Sequence, residues 1–412
     1  MPAPSPDARK PGDPAFPSGR RADALGFVLG AGPFLAWAWR HAAPGLTFHD
    51  SGEFALAADC WGVPHPPGAP TWVLLAGIFR HLGPWTDAAR ATNLFSGLLG
   101  AVTVGLAVVV VRRALAGGDD DRGPAPLLGG LAAGAILAGC RAFLDQAVVT
   151  EQYTLLTALG LAVVLAAGDL AAAAARGRPA ARHPLLLGLL WGLACGNHLS
   201  QLVLGAVVVG AVLAAGRPTG RGRLVALVAA GFGLGSLVFV AMMLRARTNP
   251  ALDWGHVADP GRLVWALARR GWETRSLGEV PDGFFAAWLR TLAPWRQLGP
   301  LALACAVAGM GLLVRERRRT WAWGGAAVVA YAVGIAVATG RQVGIGLDYI
   351  RHYGVADWHL PLYVAAAIAG GWGVGRLLGR GGPGRGSCPA LAVGVLLVGA
   401  LLAAGWSARR EA

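Results

Sequence analysis

Apolar runs of roughly 17–25 residues recur along the whole chain, separated by short loops that carry arginine. Each run is long enough to cross a bilayer as a helix, and a backbone inside lipid must satisfy its own hydrogen bonds. Composition agrees with that reading. Of 412 residues, 55% are hydrophobic and 14% charged, where soluble domains carry about a quarter charged residues; the mean hydropathy is +0.52. The formal net charge is +14, yet the basic residues are nearly all arginine, with Lys10 the single lysine. They gather in loops between apolar runs and form no stripe with interleaved aromatics, so the charge reads as topology and argues against a nucleic-acid partner. The five cysteines lie far apart with no CxxC or metal-type spacing and predict no disulfide framework. The expectation is an all-α polytopic membrane protein.

The positive-inside rule then orders the chain. Residues 1–21, Pro-rich and polar, are expected to be a disordered cytoplasmic N-terminus. A first span over about Ala22–Trp39 has no A-x-A cleavage site and is read as uncleaved. Thr71–Leu82 is only a dozen residues. Laying it in the interface keeps Arg112 and Arg113, at the end of a span over Ala91–Val111, on the cytoplasmic side. Further spans are expected over Pro124–Gly139, Tyr153–Ala175, two within His183–Ala215 that break at Gly196-Asn197-His198, then Leu224–Leu244, Pro300–Val314, Trp321–Thr339, Pro361–Leu378 and Ala390–Trp406. The total is about eleven transmembrane helices, with external loops 40–90, 245–298 and 340–359. Residues 22–378 form the main unit, and 379–412 a basic loop with the last helix. Gly231/Gly235 and Gly371/Gly375 are spaced for close helix packing.

This topology collects the polar outliers on the outer side, the first of them in the stretch His49–Pro70. Asp50 and Glu53 are three apart and share a helix face. As a pair they could deprotonate an acceptor hydroxyl and position it; equally, Asp-x-x-Glu at a helix start fits a capping box. His65-Pro66-Pro67-Gly68 cannot continue a helix and predicts a rigid turn presenting His65. Glu151-Gln152-Tyr153 stands at an outer helix start, Asn197-His198 in a membrane-level turn, and Trp254 at headgroup level. Arg341 and Arg351 have the bidentate geometry for a phosphate. His49, Asp50, Glu53 and His65 are oxygen and nitrogen donors compatible with a divalent metal, although their spacing names none. Phosphate loops, HExxH, GxSxG and dinucleotide fingerprints do not occur.

Several segments together resemble one membrane family. They are Asp50-Ser51-Gly52-Glu53, then Gly62-Val63-Pro64-His65-Pro66-Pro67-Gly68-Ala69-Pro70, Asn93-Leu94-Phe95-Ser96, Thr150-Glu151-Gln152-Tyr153, Gly192-Leu193-Ala194-Cys195-Gly196-Asn197-His198, Asp253-Trp254-Gly255 and His359-Leu360-Pro361-Leu362-Tyr363. In this order they resemble a family once called a domain of unknown function. Its members resemble GT-C-type glycosyltransferases, and its animal representatives are protein O-mannosyltransferases acting on receptor ectodomains. The resemblance runs from about Phe27 to Tyr363. It implies a GT-C-like catalytic unit over 22–378 that takes a sugar from a polyprenyl-phosphate donor on the external face. It also implies that the first external loop carries the essential acid, here Asp50, with Glu53 beside it.

The resulting expectation is a glycosyltransferase moving a sugar, mannose among the candidates, to a hydroxyl of a protein or cell-envelope glycan. Asp50 and Glu53 are the expected catalytic residues. His49, His65, Glu151, Tyr153, Asn197, His198, Trp254, Arg341 and Arg351 are the expected substrate-binding residues. The partners are the donor lipid, the acceptor and the bilayer, and the setting a bacterial-type cell inner membrane with a cytoplasmic N-terminus. The alternative is a transporter or flippase for a polyprenyl-linked lipid or solute. It would need polar residues at mid-membrane depth or an inverted repeat of broken helices, whereas the span interiors are almost wholly apolar.

Overall fold

The computed structural model describes residues 19–85, 87–116, 123–177, 180–215, 220–270, 272, 274–316, 319–353, 356–379 and 396–400. Nearly all of the expected N-terminal lead, and Ala390–Trp406 apart from 396–400, lie outside the described residues. Those described are helical, with two isolated β-bridges, Val63–Asp253 and Thr274–Gln342, as the extended pairings. The helices are α1 (Arg20–His41), α2 (Ser51–Cys60), α3 (Pro70–Leu82), α4 (Ala88–Leu115), α5 (Ala125–Gly139), α6 (Arg141–Ala147), α7 (Tyr153–Ala175), α8 (Arg182–Asn197), α9 (Gly205–Ala215), α10 (Arg221–Ala246), α11 (Pro260–Leu267), α12 (Phe284–Thr291), α13 (Pro294–Gln297), α14 (Gly299–Arg315), α15 (Arg319–Arg341), α16 (Leu347–Tyr353) and α17 (Leu360–Gly379).

Local chemistry sets several of these boundaries. Asp87 caps α4 by accepting the Arg90 N–H at 2.6 Å, and Asp259 caps α11 by accepting the Arg262 N–H at 3.0 Å. Pro70 and Pro260 stand at first helical positions, where their missing N–H costs no helix bond. The α2 helix stops at Trp61, which turns left-handed with φ 52°.

Among the described residues, six helical stretches are long and apolar enough to cross a membrane: Arg20–His41, Ala88–Leu115, Tyr153–Ala175, Arg221–Ala246, Ala322–Arg341 and Ala356–Gly379. Two bent pairs raise the number to eight if each is one span. They are Ala125–Gly139 with Arg141–Ala147, bent by 74°, and Phe284–Gln297 with Gly299–Arg315, bent by 105°. The chain is therefore an all-helical, multi-pass membrane protein. The described residues do not carry the count to eleven. The shortfall lies in α8, in the short apolar stretch Leu199–Ala215 that starts as a 3-10 helix, and in the last expected span. At 16 residues α8 reaches about 24 Å, short of a bilayer core of about 30 Å. The segment placed in the interface, Thr71–Leu82, is the 13-residue α3, which passes no test for a span.

Helix α4 is the central post, with α1, α5 and α7 packed around it; α17 lies between α5 and α14, and α8 between α7 and α10. Glycine makes two of these contacts possible. A Cβ on Gly188 or Gly192 would run into the carbonyls of Val228 and Phe232, and one on Gly231 or Gly235 into those of Leu185 and Leu189. The α8–α10 contact is thus backbone against backbone, as the glycine spacing predicts. Gly371 and Gly375 meet Gly129 of α5 in the same way.

The bundle has two chemically different ends. At one, Arg112 and Arg113 of α4 both bind Asp23 of α1, Arg113 also binds Asp169 of α7 at 2.7 Å, and Arg376 binds Glu316 at 2.9 Å. At the other, the start of α4 meets the segments after α1 and before α7. Asn93 donates to the carbonyls of Ala43 and Gly45, both at 2.9 Å, and accepts from Thr150 at 2.6 Å. The candidate site lies at this second end.

Candidate active site

The first loop is folded onto a small aromatic floor. Phe54 and Trp72, about 1% and 0% exposed, meet edge to face at 4.9 Å, and Phe95 and Leu155 close the cluster beneath them. Above it the backbone turns back, with the Gly68 N–H donating to the His65 carbonyl at 2.9 Å. Gly68 has φ +97°, and a Cβ there would strike Met242 of α10, so the turn needs glycine for both reasons.

That turn delivers His65 to the two acids. Glu53 holds the residue twice: its Oε1 accepts the His65 backbone N–H at 2.5 Å and its Oε2 accepts Nδ1–H at 2.9 Å. The other ring nitrogen, Nε2, stands 3.8 Å from Asp50 Oδ2. The capping-box alternative is not formed. Asp50 occupies the N-cap position of α2 but makes no side-chain cap bond, and Glu53 reaches forward to His65 rather than back to Asp50. Among the described residues the Asp50 carboxylate accepts no hydrogen bond, and it is 51% exposed where Glu53 is 20% exposed. Burial works to lower the His65 pKa, but the Glu53 hydrogen bond and the charges of Asp50 and Glu53 outweigh it and hold the imidazole above its ordinary value.

One ligand atom from each of Asp50, Glu53 and His65 falls within 4.8 Å of the others. Two carboxylates and an imidazole suit a divalent cation. His65 Nδ1 and both Glu53 oxygens are already hydrogen-bonded, so such an ion would take His65 Nε2 and Asp50 first.

Other expected residues converge on this cluster from distant parts of the chain. Glu151 is buried at 7% exposure and its backbone is pinned, the carbonyl accepting from Trp72 Nε1 at 3.2 Å and from Ser96 Oγ at 3.3 Å. Burial, with Asp50 and Asp357 nearby, pushes its carboxyl well above the usual range. Tyr153 lies within charge range of Asp357, Glu151 and Asp50, and its ring centroid is 6.4 Å from that of His198. His198 Nδ1 accepts from Ser200, from Oγ at 2.6 Å and from the backbone N–H at 3.2 Å. That leaves the ring proton on Nε2. Burial, with the Arg269 and His65 charges, lowers its pKa to about 4, so His198 is neutral at physiological pH.

The remaining expected residues are not all at the cluster. Asn197 is fully buried, its Nδ2 donating to the Gln152 carbonyl at 3.3 Å, so it positions the Glu151–Tyr153 segment from behind. His49 takes a left-handed φ of 62° and lies in charge range of Asp357. Trp254 is 45% exposed and stacks on Trp272 at 6.5 Å. Arg341 is exposed, and its Nε donates to the Arg275 carbonyl at 3.0 Å. Arg351 is in α16, but its side chain lies outside the described residues.

Two further neighbours of the cluster were not among the expected site residues. Asp357, in the 3-10 turn Ala356–His359, faces Asp50, Glu151 and Tyr153; its place two residues before the His359–Tyr363 segment was a usable signal. Arg269 lies in the loop just after α11 with φ 52°, its guanidinium over the Trp272 ring at 5.6 Å. That ring meets His65 edge-on at 5.8 Å, and its Nε1 donates to the Pro66 carbonyl at 3.3 Å. Nothing in its spacing separates Arg269 from the other arginines of that loop.

The loop is also stitched down elsewhere. Trp254 N–H donates to the Val63 carbonyl at 3.0 Å, and Arg245 donates to the carbonyls of Trp61 and Cys60 at 2.9 and 2.7 Å. A separate cleft of about 660 Å³ at the same end is lined by Arg40, Trp85, Asp87 and Arg90. Its Arg90 is committed to the Ala42 and Ala43 carbonyls, so it reads as a structural corner.

Residues 50–219 match the family model described as the Protein O-mannosyl-transferase TMEM260 N-terminal domain. That segment, about two fifths of the chain, is what is similar to the family, and the match begins at Asp50 itself. The mouse protein O-mannosyl-transferase TMEM260 is 45% identical over 64 residues, which is 16% of this chain and 9% of the mouse protein. The TMEM260-type segment holds Asp50, Glu53, His65, Glu151, Tyr153, Asn197 and His198, while Trp254, Arg269 and Asp357 come from the chain beyond it.

Proposed function

We propose that this chain is a membrane glycosyltransferase that moves a sugar from a polyprenyl-phosphate donor to a hydroxyl of a protein or cell-envelope glycan. Mannose is the favoured sugar, by analogy with the named activity of the mouse relative. The observation that carries the reading is the unequal treatment of two acids three residues apart. Glu53 is spent on His65, whereas Asp50 is half exposed, accepts no hydrogen bond from a described residue and lies 3.8 Å from the His65 ring nitrogen.

In the proposed reaction the acceptor O–H gives its proton to Asp50, and its oxygen attacks the anomeric carbon. The bond from that carbon to the phosphate oxygen breaks, and the lipid phosphate leaves with the electron pair. Glu53 orients His65, whose other ring nitrogen faces the Asp50 carboxylate at 3.8 Å. Tyr153, His198 with its Nε2–H, and Glu151 offer hydrogen bonds to sugar hydroxyls. Asn197 acts through Gln152; His49, Trp254, Arg341 and Arg351 shape the approach of the substrates. The arginines at the Arg112/Arg113 end support a cytoplasmic assignment for that end, with the site on the external face and the catalytic unit over 22–378.

The test is sugar transfer in membranes supplied with donor lipid. Asp50→Asn is expected to abolish it, and full retained activity refutes the role. Movement of labelled lipid across vesicles without any acceptor labelling would instead indicate a transporter.

A further inference from the structure

A leaving phosphate needs a cation, and several arginines at this end of the bundle are already occupied. Arg245 donates to two carbonyls and to Thr248, Arg90 to the turn after α1, Arg275 to the carbonyls of Gln342, Val343 and Ile345, and Arg341 to that of Arg275. Arg269 differs. Its guanidinium is half-buried over the Trp272 face and makes no hydrogen bond or ion pair with a described residue. It lies within charge range of His65, His198 and Tyr153. A guanidinium withdrawn from water and left without an anion is costly, and a cation–π contact offsets only part of that cost.

We propose that Arg269 is the anion seat of this site and takes the phosphate of a polyprenyl-phosphate donor. A planar guanidinium has the two parallel donors a phosphate accepts. His198 Nε2–H is a further neutral donor on the same side, and the stacked Trp254–Trp272 pair gives an apolar wall beside the seat for the first isoprene units. The naming of the phosphate as the donor's rests on the function proposed above; the anion seat does not.

The probe is farnesyl phosphate, titrated into the full chain in neutral detergent by calorimetry, with farnesol as the uncharged control. Farnesyl phosphate is expected to bind more tightly than farnesol. Arg269→Gln should weaken it by about tenfold or more, and Arg269→Lys, which keeps the charge but not the fork, by a few-fold. Should Arg269→Gln fail to fold, the lysine variant carries the test, since unchanged affinity there contradicts a bidentate seat. Equal affinity in wild type and Arg269→Gln, or equal binding of farnesol and farnesyl phosphate, overturns the assignment. Displacement of the probe by equimolar phosphatidylglycerol overturns the donor as the source and gives the seat to bilayer headgroups. Asp50→Asn should lose transfer yet bind farnesyl phosphate; if it keeps transfer, the proposed reaction falls while the Arg269 result stands.

Discussion

The carboxylates of the candidate cluster are held differently from those at the opposite end of the bundle, although Asp59 of the same α2 pairs with Arg80 at 2.9 Å. At the Arg112/Arg113 end, Asp23, Asp169 and Glu316 each sit on an arginine, and Asp23 on two. At the Asp50 end, Asp50, Glu53, Glu151 and Asp357 share a neighbourhood, with His65 hydrogen-bonded to Glu53 and 3.8 Å from Asp50. Matched charges hold helices together and locate an end relative to the membrane. Unmatched ones cost stability and persist where chemistry uses them.

Exchanging the two kinds of acid gives the sharpest contrast. Asp50→Asn should lower transfer about a thousandfold, in the range for loss of a positioned general base, while the thermal midpoint in detergent stays close to wild type. Asp23→Asn should do the reverse. It leaves Arg112, 7% exposed, without its carboxylate, a change worth on the order of 3 kcal/mol when a buried pair is broken. The midpoint falls by several degrees while folded protein keeps its transfer rate. If Asp23→Asn lost transfer at an unchanged midpoint, the division between the ends would be wrong.

A smaller effect, about 1–3 kcal/mol, is expected of Gly235→Ala, whose methyl group meets the Leu189 carbonyl across the α8–α10 contact. Gly233→Ala on the same helix meets nothing within 4 Å and serves as control. Equal midpoints for the two would show that the seam tolerates a side chain. The smallest effect is a pH dependence. His65 has a folded pKa above 6.5, so its contribution to stability is fully present below pH 6.5 and fades as pH rises through the folded value. His65→Gln should therefore lower the midpoint more at pH 6 than at pH 9, and equal losses at both would mean that the imidazole is held neutral.

Much of this was legible in the sequence, for definable reasons. Apolar runs report helices directly, so the all-helical architecture and the non-spanning α3 follow from length alone. Asp50, Glu53 and His65 were legible because they are local, within one loop. That they form no capping box was not, because Asp-x-x-Glu fits a cap and a site equally, and only the path of the Glu53 side chain toward His65 removes the cap. Arg269 and Asp357 reach the site from more than 200 residues downstream of Asp50, a proximity that no periodicity encodes. Asn197 was legible as unusual, but a buried amide serving a carbonyl and one serving a ligand look the same in a sequence. The span count failed where α8 and Leu199–Ala215 are too short to be recognised as spans by length.

The glycine seam between α8 and α10 has a geometric consequence. Helices separated by side chains can absorb small errors by changing rotamers; helices that touch backbone to backbone cannot. A displacement anywhere along α8 is therefore passed on undiminished to its last turn, where Gly196 abuts Thr71 of α3 and His198 follows. The same seam fixes the end of α10, whose Arg245 grips the last turn of α2. The seam thus acts as a ruler, setting the spacing between His198 and the Asp50 loop from a distance, and a substitution halfway down it should show itself as a misplaced imidazole.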